Sequence, residues 1–172
     1  GLAITTGLAR NGAHVLLGCC DLARGEKAST TLQVEGLQVR PVQLDTTDDA
    51  SVSALAALIG REYGHLDILI NNAGIGLDYD PTLTVVERMQ RTLAVNVLGT
   101  LRLTEAMLPL LANSSRPRIV NVSSELGSFG LRSDPNWAYA ETKMPTYQAS
   151  KAAVNSLTVS YADQLKEMGV KV

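Results

Sequence analysis

The chain has 172 residues, of which 45% are hydrophobic and 19% charged, and its formal net charge is −2. This balance predicts one globular domain, and the interspersed charges form no basic stripe that would bind nucleic acid. No apolar run approaches the length of a membrane span, so we expect no membrane partner. Two cysteines, Cys19 and Cys20, stand side by side, which indicates a reducing compartment and a cytoplasmic protein.

The first part of the chain predicts alternating helices and strands. Residues 2–10 form a helix that Asn11-Gly12 ends, and an apolar strand follows over 14–18. A polar helix over 24–35 leads to a strand over 37–44, and Asp48 caps a helix that runs to residue 63. Residues 66–70 form a continuous apolar strand, the kind that is buried on both faces of a parallel sheet.

The same alternation continues to the end of the chain. Thr84 opens a long helix to residue 112, which Pro109 should bend or end early. A strand over 118–122, a turn-rich stretch over 125–144 and a helix that Gly169 ends come next, before a last strand at 170–172. This order predicts an α/β fold, a doubly wound parallel sheet between helices, as a single domain over 1–172.

A Tyr-x-x-x-Lys pattern occurs twice, as Tyr147/Lys151 and as Tyr139/Lys143. Residues four apart share one face of a helix, so the lysine ammonium can lie near the phenol and favour its ionised form. A phenol that exchanges a proton near neutral pH suits carbonyl reduction by a hydride-carrying cofactor. A helix that carries Tyr139 and Lys143 would run into Pro145, which restricts the residue before it. A helix that carries Tyr147 and Lys151 can begin at Pro145, because proline suits the first turn of a helix.

The chain resembles the short-chain dehydrogenase/reductase family, in particular its carbonyl-reductase-like branch. The resemblance rests on motifs that occur in the family's order along nearly the whole sequence. They are Gly1-Leu2-Ala3, Leu44 to Asp48, Asp67 to Gly74, Val95-Asn96-Val97, Ile119 to Ser124, and Tyr147 to Ala153. It implies a Rossmann-type domain, a nicotinamide cofactor, a small carbonyl or alcohol substrate, and hydride transfer between them. Many members of the family associate through the helices that here start near 84 and 145, which would give a homo-oligomer, but an insertion beside the second helix would block that contact, so the oligomeric state stays open.

The family pattern assigns four catalytic residues. Tyr147 is the acid/base, and Ser124 hydrogen-bonds the substrate oxygen. Lys151 tunes Tyr147 and holds the ribose hydroxyls, and Asn96 anchors a water in a proton relay. The implied cofactor-binding residues are Gly1, Asp45, Thr46, Asn72, Ala73, Gly74, Tyr147 and Lys151.

Plainer interpretations of these residues stay open. Asp45 also suits a turn, and the Asn72–Gly74 segment also suits the end of a strand. Ser123 competes with Ser124, because strand alternation lets only one of them face a cleft. The family's pattern favours the second serine. Two other functions compete as well: a sugar-nucleotide epimerase or dehydratase, and a catalytically silent dinucleotide-binding or interaction protein.

Cofactor choice depends on the residues directly after the strand at 14–18. Members that use NAD carry an acid there for the ribose hydroxyl, and members that use NADP often carry an arginine. Cys19 and Cys20 occupy those positions. Because no acidic side chain stands there, nothing repels the 2′-phosphate of NADP(H). Residues 21–25 also resemble the corresponding residues of reductases that use NADPH. We therefore expect NADP(H) rather than NAD(H).

The chain also departs from the family pattern in its spacing. Ser124 and Tyr147 are 23 positions apart, which is wider than usual and implies an insertion. The insertion contains Phe129, Trp137 and Tyr139, which either roof a pocket for a bulky apolar substrate or pack onto their own loop.

The chain starts at the last glycine of the family's phosphate-binding loop and stops before the family's last strand. We therefore expect a fragment that lacks the first, central strand and the C-terminal end. Residues 1–172 alone should bind NADP(H) poorly and be marginally folded, because two strands lose a neighbour and the pyrophosphate loses its loop. Thermal unfolding and cofactor titration of the isolated chain test this. A two-state melt with micromolar affinity would contradict it.

Overall fold

The structure is a computed structural model that describes all residues from 1 to 172. It contains two compact units, residues 1–58 and 59–172. Each unit contains one pair of parallel strands with helices before, between or after them. These elements confirm the predicted α/β class.

The first unit begins with helix α1, Leu2–Arg10, followed by strand β1, Val15–Cys19, helix α2, Leu22–Val34, and strand β2, Val39–Gln43. The two strands are parallel, from the pair Val15/Val39 to the pair Cys19/Gln43. Gly12 ends the turn after α1 with φ of 85°, a conformation that suits glycine. The apolar side chains between these elements form a small core of Ala9, Leu32, Val39, Val15, Leu17 and Leu37.

Helix α3, Asp49–Glu62, starts in the first unit and runs into the second. The Asp48 carboxylate accepts hydrogen bonds from the amides of Ala50 and Ser51, which is the predicted cap. Strand β3, Ile68–Asn71, follows α3 and pairs in parallel with strand β4, Arg118–Asn121. Strands β2, β3 and β4 are one to three residues shorter than the sequence predicted, whereas β1 has the predicted length and is shifted by one residue.

The long helix between β3 and β4 is not one regular α-helix. It consists of α4, Val85–Leu93, a π-helical stretch, Ala94–Gly99, and α5, Thr100–Leu111. Thr84 and Glu87 form a capping box at its start. Of the two effects expected of Pro109, a bend or an early end, the early end does not occur, because α5 continues past this residue to Leu111.

By length and composition alone, the segment Val85–Leu111 would be able to cross a membrane. This corrects the expectation that no apolar stretch approaches the required length. The segment behaves as a core helix in its own unit: α5 contacts β3 and β4, and the π-helical stretch contacts the last helix. Its most buried apolar side chains, Met107 and Leu111, are 1% and 0% exposed.

The last part of the chain contains a single 3-10 turn, Glu125–Gly127, a short helix α6, Phe129–Arg132, and the long helix α7, Pro145–Gln164. Proline occupies the first position of α7, as expected, because its missing amide hydrogen is not needed there. The last strand is reduced to one parallel bridge between Arg118 and Lys171. Helix α7 contacts α4, the π-helical stretch and the 3-10 turn, and these elements surround the candidate site.

Candidate functional site

Tyr147 and Lys151 lie on one face of α7. The Lys151 amine is 5.6 Å from the centre of the Tyr147 ring. The competing pair is not arranged in this way, because neither residue lies on a helix: Tyr139 is in a turn and Lys143 is in the irregular segment before α7. Met144 has φ of −128° and ψ of 63°, so the chain is not helical just before Pro145. The structure thus brings together the pair that the helix rules favoured.

Lys151 is buried, with only 4% of its surface exposed. Its amine donates a hydrogen bond of 2.7 Å to the carbonyl oxygen of Val122, the residue after β4. Burial lowers the pKa of the Lys151 amine from its ordinary value, because desolvation disfavours the charged form. An ammonium has three donors, so the bond to Val122 leaves N–H groups that can serve other oxygens.

Asn96 is 1% exposed and lies in the π-helical stretch. Its carboxamide accepts a hydrogen bond from the amide of Ile75 and donates to the carbonyl oxygen of the same residue, both at 2.8 Å. It also donates to the hydroxyl of Ser150, and that hydroxyl donates to the carbonyl oxygen of Tyr147. The side chain therefore links the loop after β3 to the turn of α7 that carries Tyr147 and Lys151. The water relay assigned to Asn96 stays a prediction.

The two serines after β4 have different partners. Ser123 donates a hydrogen bond of 3.3 Å to the carbonyl oxygen of Lys151, so its hydroxyl is directed at the backbone of α7. Ser124 accepts a hydrogen bond from the amide of Leu126 and caps the 3-10 turn. An oxygen that accepts there still carries a hydrogen to donate. This difference favours Ser124 as the serine available to a substrate.

The segment after β3 approaches the site with little side-chain bulk. A Cβ atom at Gly74 would lie 3.5 Å from both the Asn96 carboxamide oxygen and the Lys151 amine. One at Gly76 would lie 3.3 Å from Cδ2 of Tyr147. Asn72 is half-buried, while Ala73 and Gly74 are exposed. A glycine-containing backbone admits close approach of a dinucleotide, so these residues suit the cofactor that the motifs imply, and their contact with its adenosine side stays a prediction.

The remaining predicted cofactor residues lie in the first unit. Gly1 is the exposed N-cap of α1 and has no side chain to contribute. Asp45 follows β2 and accepts hydrogen bonds from the amide and hydroxyl of Thr47, so it forms the turn that the plainer interpretation proposed. Thr46 is buried in that turn. Their roles at a cofactor stay predictions.

Cys19 and Cys20, which bear on cofactor choice, are both free thiols. Cys19 lies under α2, where a Cβ atom at Gly25 would be 2.3 Å from its sulfur. Burial, the main cause, raises the pKa of the Cys19 thiol. Cys19 thus has a packing role, and Cys20 is the exposed one of the two.

The aromatic insertion mostly packs on itself. The rings of Trp137 and Tyr139 meet edge to face, with centroids 5.5 Å apart. The Trp137 indole donates a hydrogen bond to the carboxylate of Glu125, and Phe129 is 81% exposed. The contacts of Trp137 and Tyr139 support the interpretation in which the insertion is held on its own loop, whereas the exposed Phe129 ring supports neither interpretation.

The sequence did not reveal Asp78 or Ser150 as parts of the site. Asp78 is 9% exposed, and its carboxylate accepts hydrogen bonds from the backbone of Thr146 and Tyr147. No motif marks it, because its partners are almost seventy residues later in the chain. Ser150 was visible as the neighbour of Lys151, but its contact with Asn96 depends on the fold.

Comparison with known proteins places the chain among oxidoreductases. The family model described as short chain dehydrogenase matches residues 1–172. Carbonyl reductase [NADPH] 1 of Sus scrofa is 40% identical over 128 residues, which cover 74% of this chain and 44% of the relative. Short-chain dehydrogenase anuI of Penicillium roqueforti is 37% identical over 136 residues, or 77% and 54% of the two chains. The chain spans about half the length of these relatives.

A solved structure extends the similarity to the fold. The NADPH-bound carbonyl reductase from chicken fatty liver superposes with a TM-score of 0.83 and 27% identity, covering 99% of this chain and 72% of that one. This match confirms the predicted Rossmann-type fold.

Gly127 gives a direct test of how closely the 3-10 turn and α7 approach each other. A Cβ atom there would lie 2.7 Å from the Lys151 carbonyl carbon and 2.8 Å from the Ala152 amide. The substitution Gly127→Ala must therefore displace α7 at Lys151. We expect it to lower the free energy of unfolding of the full-length protein by about 1–3 kcal/mol.

Gly130→Ala is the matched control, since the nearest atom to its added methyl group is 4.0 Å away. Chemical denaturation of both variants measures the difference. Equal stability of the two variants would show that the close approach at residue 127 does not exist.

Proposed function

We propose that this chain, which belongs to the short-chain dehydrogenase/reductase family, is part of an NAD(P)H-dependent oxidoreductase that interconverts a small carbonyl compound and its alcohol. The observation that carries the proposal is the buried Lys151 amine one helical turn from Tyr147, at 5.6 Å from its ring. The carbonyl reductases among the relatives named above support the same reaction class.

Each residue has a distinct task in this proposal. The Tyr147 hydroxyl donates a proton to the carbonyl oxygen during reduction and takes it back during oxidation. The Ser124 hydroxyl donates a hydrogen bond to the same oxygen, where negative charge develops. When bound, the nicotinamide cofactor would supply the hydride that adds to the carbonyl carbon.

Lys151 serves both the proton and the cofactor. Its N–H groups would hold the ribose beside the nicotinamide, and the backbone of Asn72–Gly74 would approach the adenosine side of the cofactor. Because burial lowers the pKa of its amine, Lys151 gives up a proton at a lower pH than a solvated lysine does, which suits passage of a proton towards Tyr147. Asn96 and Ser150 keep the two surrounding backbone segments in place.

We further propose NADPH as the preferred cofactor and the cytoplasm as the compartment. No acidic side chain stands at the position that would repel a 2′-phosphate, where Cys19 and Cys20 are found. The relatives described as NADPH carbonyl reductases support the same preference. Two free thiols suit a reducing compartment.

Replacement of the proposed proton donor tests the function. In the full-length protein, Tyr147→Phe should lower turnover of NADPH with simple ketones at least about a hundredfold, because general acid catalysis is lost. NADPH binding, followed by fluorescence titration, should change little, since the phenol ring remains.

Tyr139→Phe is the control for the second Tyr-x-x-x-Lys match and should keep wild-type turnover. Loss of activity in Tyr139→Phe together with full activity in Tyr147→Phe would contradict the assignment. A wild-type protein that binds NADPH but turns over none of the ketones or alcohols would favour the catalytically silent alternative.

A further inference from the structure

The first turn of α7 has no cap from its own sequence. Its N-cap residue, Met144, makes no side-chain hydrogen bond to the turn. Pro145 has no amide hydrogen, and the amide of Gln148 is already bonded to the carbonyl oxygen of Met144. The amides of Thr146 and Tyr147 therefore need acceptors from elsewhere in the fold.

Asp78 supplies both acceptors from the loop after β3. One carboxylate oxygen accepts from the Thr146 amide at 2.9 Å. The other accepts from the Thr146 hydroxyl at 2.8 Å and from the Tyr147 amide at 3.1 Å. The carboxylate thus stands where a local cap would stand, at the positive end of the helix dipole.

This contact is buried, which makes it costly to break. Asp78 is 9% exposed and Thr146 is 1% exposed. A buried carboxylate is stable only when hydrogen-bond donors surround it, and the three bonds from α7 do so. On the other side, the Arg88 guanidinium donates to the backbone carbonyl oxygen of Asp78 at 2.8 Å and ties the loop to α4.

The same loop also limits the Tyr147 ring. Gly76 lies so close that a Cβ atom there would be 3.3 Å from Cδ2 of the ring and 3.2 Å from the end of Met144. Ile75 is fixed to Asn96 through both of its backbone polar groups. The loop therefore contacts Tyr147 at its amide and at its ring.

We propose that Asp78 is a positioning residue for the proton donor. Its carboxylate holds the first turn of α7 so that the Tyr147 hydroxyl stays where a substrate carbonyl is protonated. The proposal rests on the function proposed above. It predicts a lower rate of the chemical step with unchanged cofactor binding. The hydrogen bonds of the Asp78 carboxylate reach Thr146 and Tyr147 but not Lys151, the residue proposed to hold the ribose.

The test compares two neighbouring carboxylates in the full-length protein. Asp78→Asn keeps the side-chain size but replaces one accepting oxygen with a donor. It should lower kcat about tenfold to a hundredfold, as a small misplacement of a catalytic group does. The KM for NADPH and the NADPH dissociation constant should stay close to wild type.

Asp80→Asn is the matched control. Asp80 lies two residues further along the same loop and accepts from the amide and hydroxyl of Thr82, so it has the same chemistry without reaching α7. It should keep the wild-type kcat. Equal kcat in Asp78→Asn and wild type, or equal losses in the two variants, would overturn the proposal.

A milder pair of variants covers the case in which Asp78→Asn does not fold. Thr146→Val removes only the hydroxyl bond to Asp78 and should lower kcat about twofold to tenfold. Thr146→Ser keeps that bond and should restore kcat to near the wild-type value. Unchanged kcat in Thr146→Val would overturn the proposal.

Amide hydrogen exchange separates this proposal from the proposed function. In wild type, the amides of Thr146 and Tyr147 should exchange slowly, and in Asp78→Asn or Thr146→Val they should exchange faster while the middle of α7 stays protected. Fast exchange at both amides in wild type would overturn the role of Asp78. An inactive wild type with slow exchange would overturn the function and leave the Asp78 contact established.

Discussion

The first turn of α7 carries Tyr147, the proposed proton donor, and this turn is held by groups that are distant in sequence. An isolated helix start leaves its first amides without partners. Here a buried carboxylate from the loop after β3 binds two of them, and a proline removes the need for a third. The position of Tyr147 is thus decided by the contact between a loop and a helix.

Three further contacts extend this constraint along α7. Asn96 bonds the backbone of Ile75 on one side and Ser150 on the other. The Lys151 amine bonds the carbonyl oxygen of Val122 at the end of β4. Together these bonds bring α7, the π-helical stretch and both strand ends of the second unit to one place. Because parallel strands present their carboxyl ends on the same edge, a site at this edge is expected for the fold.

Much of this site was predictable from sequence because its strongest signals are local. The four-residue spacing of Tyr147 and Lys151 needs only the geometry of a helix, and Pro145 marks where that helix begins. Elements with clear start and stop residues, such as α1 before Asn11-Gly12 and α3 after Asp48, also match the structure closely. The residues that start or end these helices are next to them in the sequence, so they are visible without the fold.

Other features depended on the tertiary structure. Pro109 was expected to bend a helix or end it early. The helix does not end there, because packing of α5 against β3 and β4 outweighs one lost backbone bond. The π-helical stretch at Asn96 has no local signature, since it accompanies bonds between the Asn96 side chain and a separate loop. Asp78 was missed for the same reason, because no spacing in the sequence indicates that it contacts Thr146 and Tyr147.

The most direct measurement of the central claim is a crystal structure of the full-length protein with NADPH and a substrate-like ketone. We expect the Tyr147 and Ser124 hydroxyls on the ketone oxygen, the Lys151 amine on the ribose, and the Asp78 carboxylate still on the first turn of α7. A structure with the Tyr139 hydroxyl on the ketone oxygen, or with Lys151 directed away from the ribose, would contradict it.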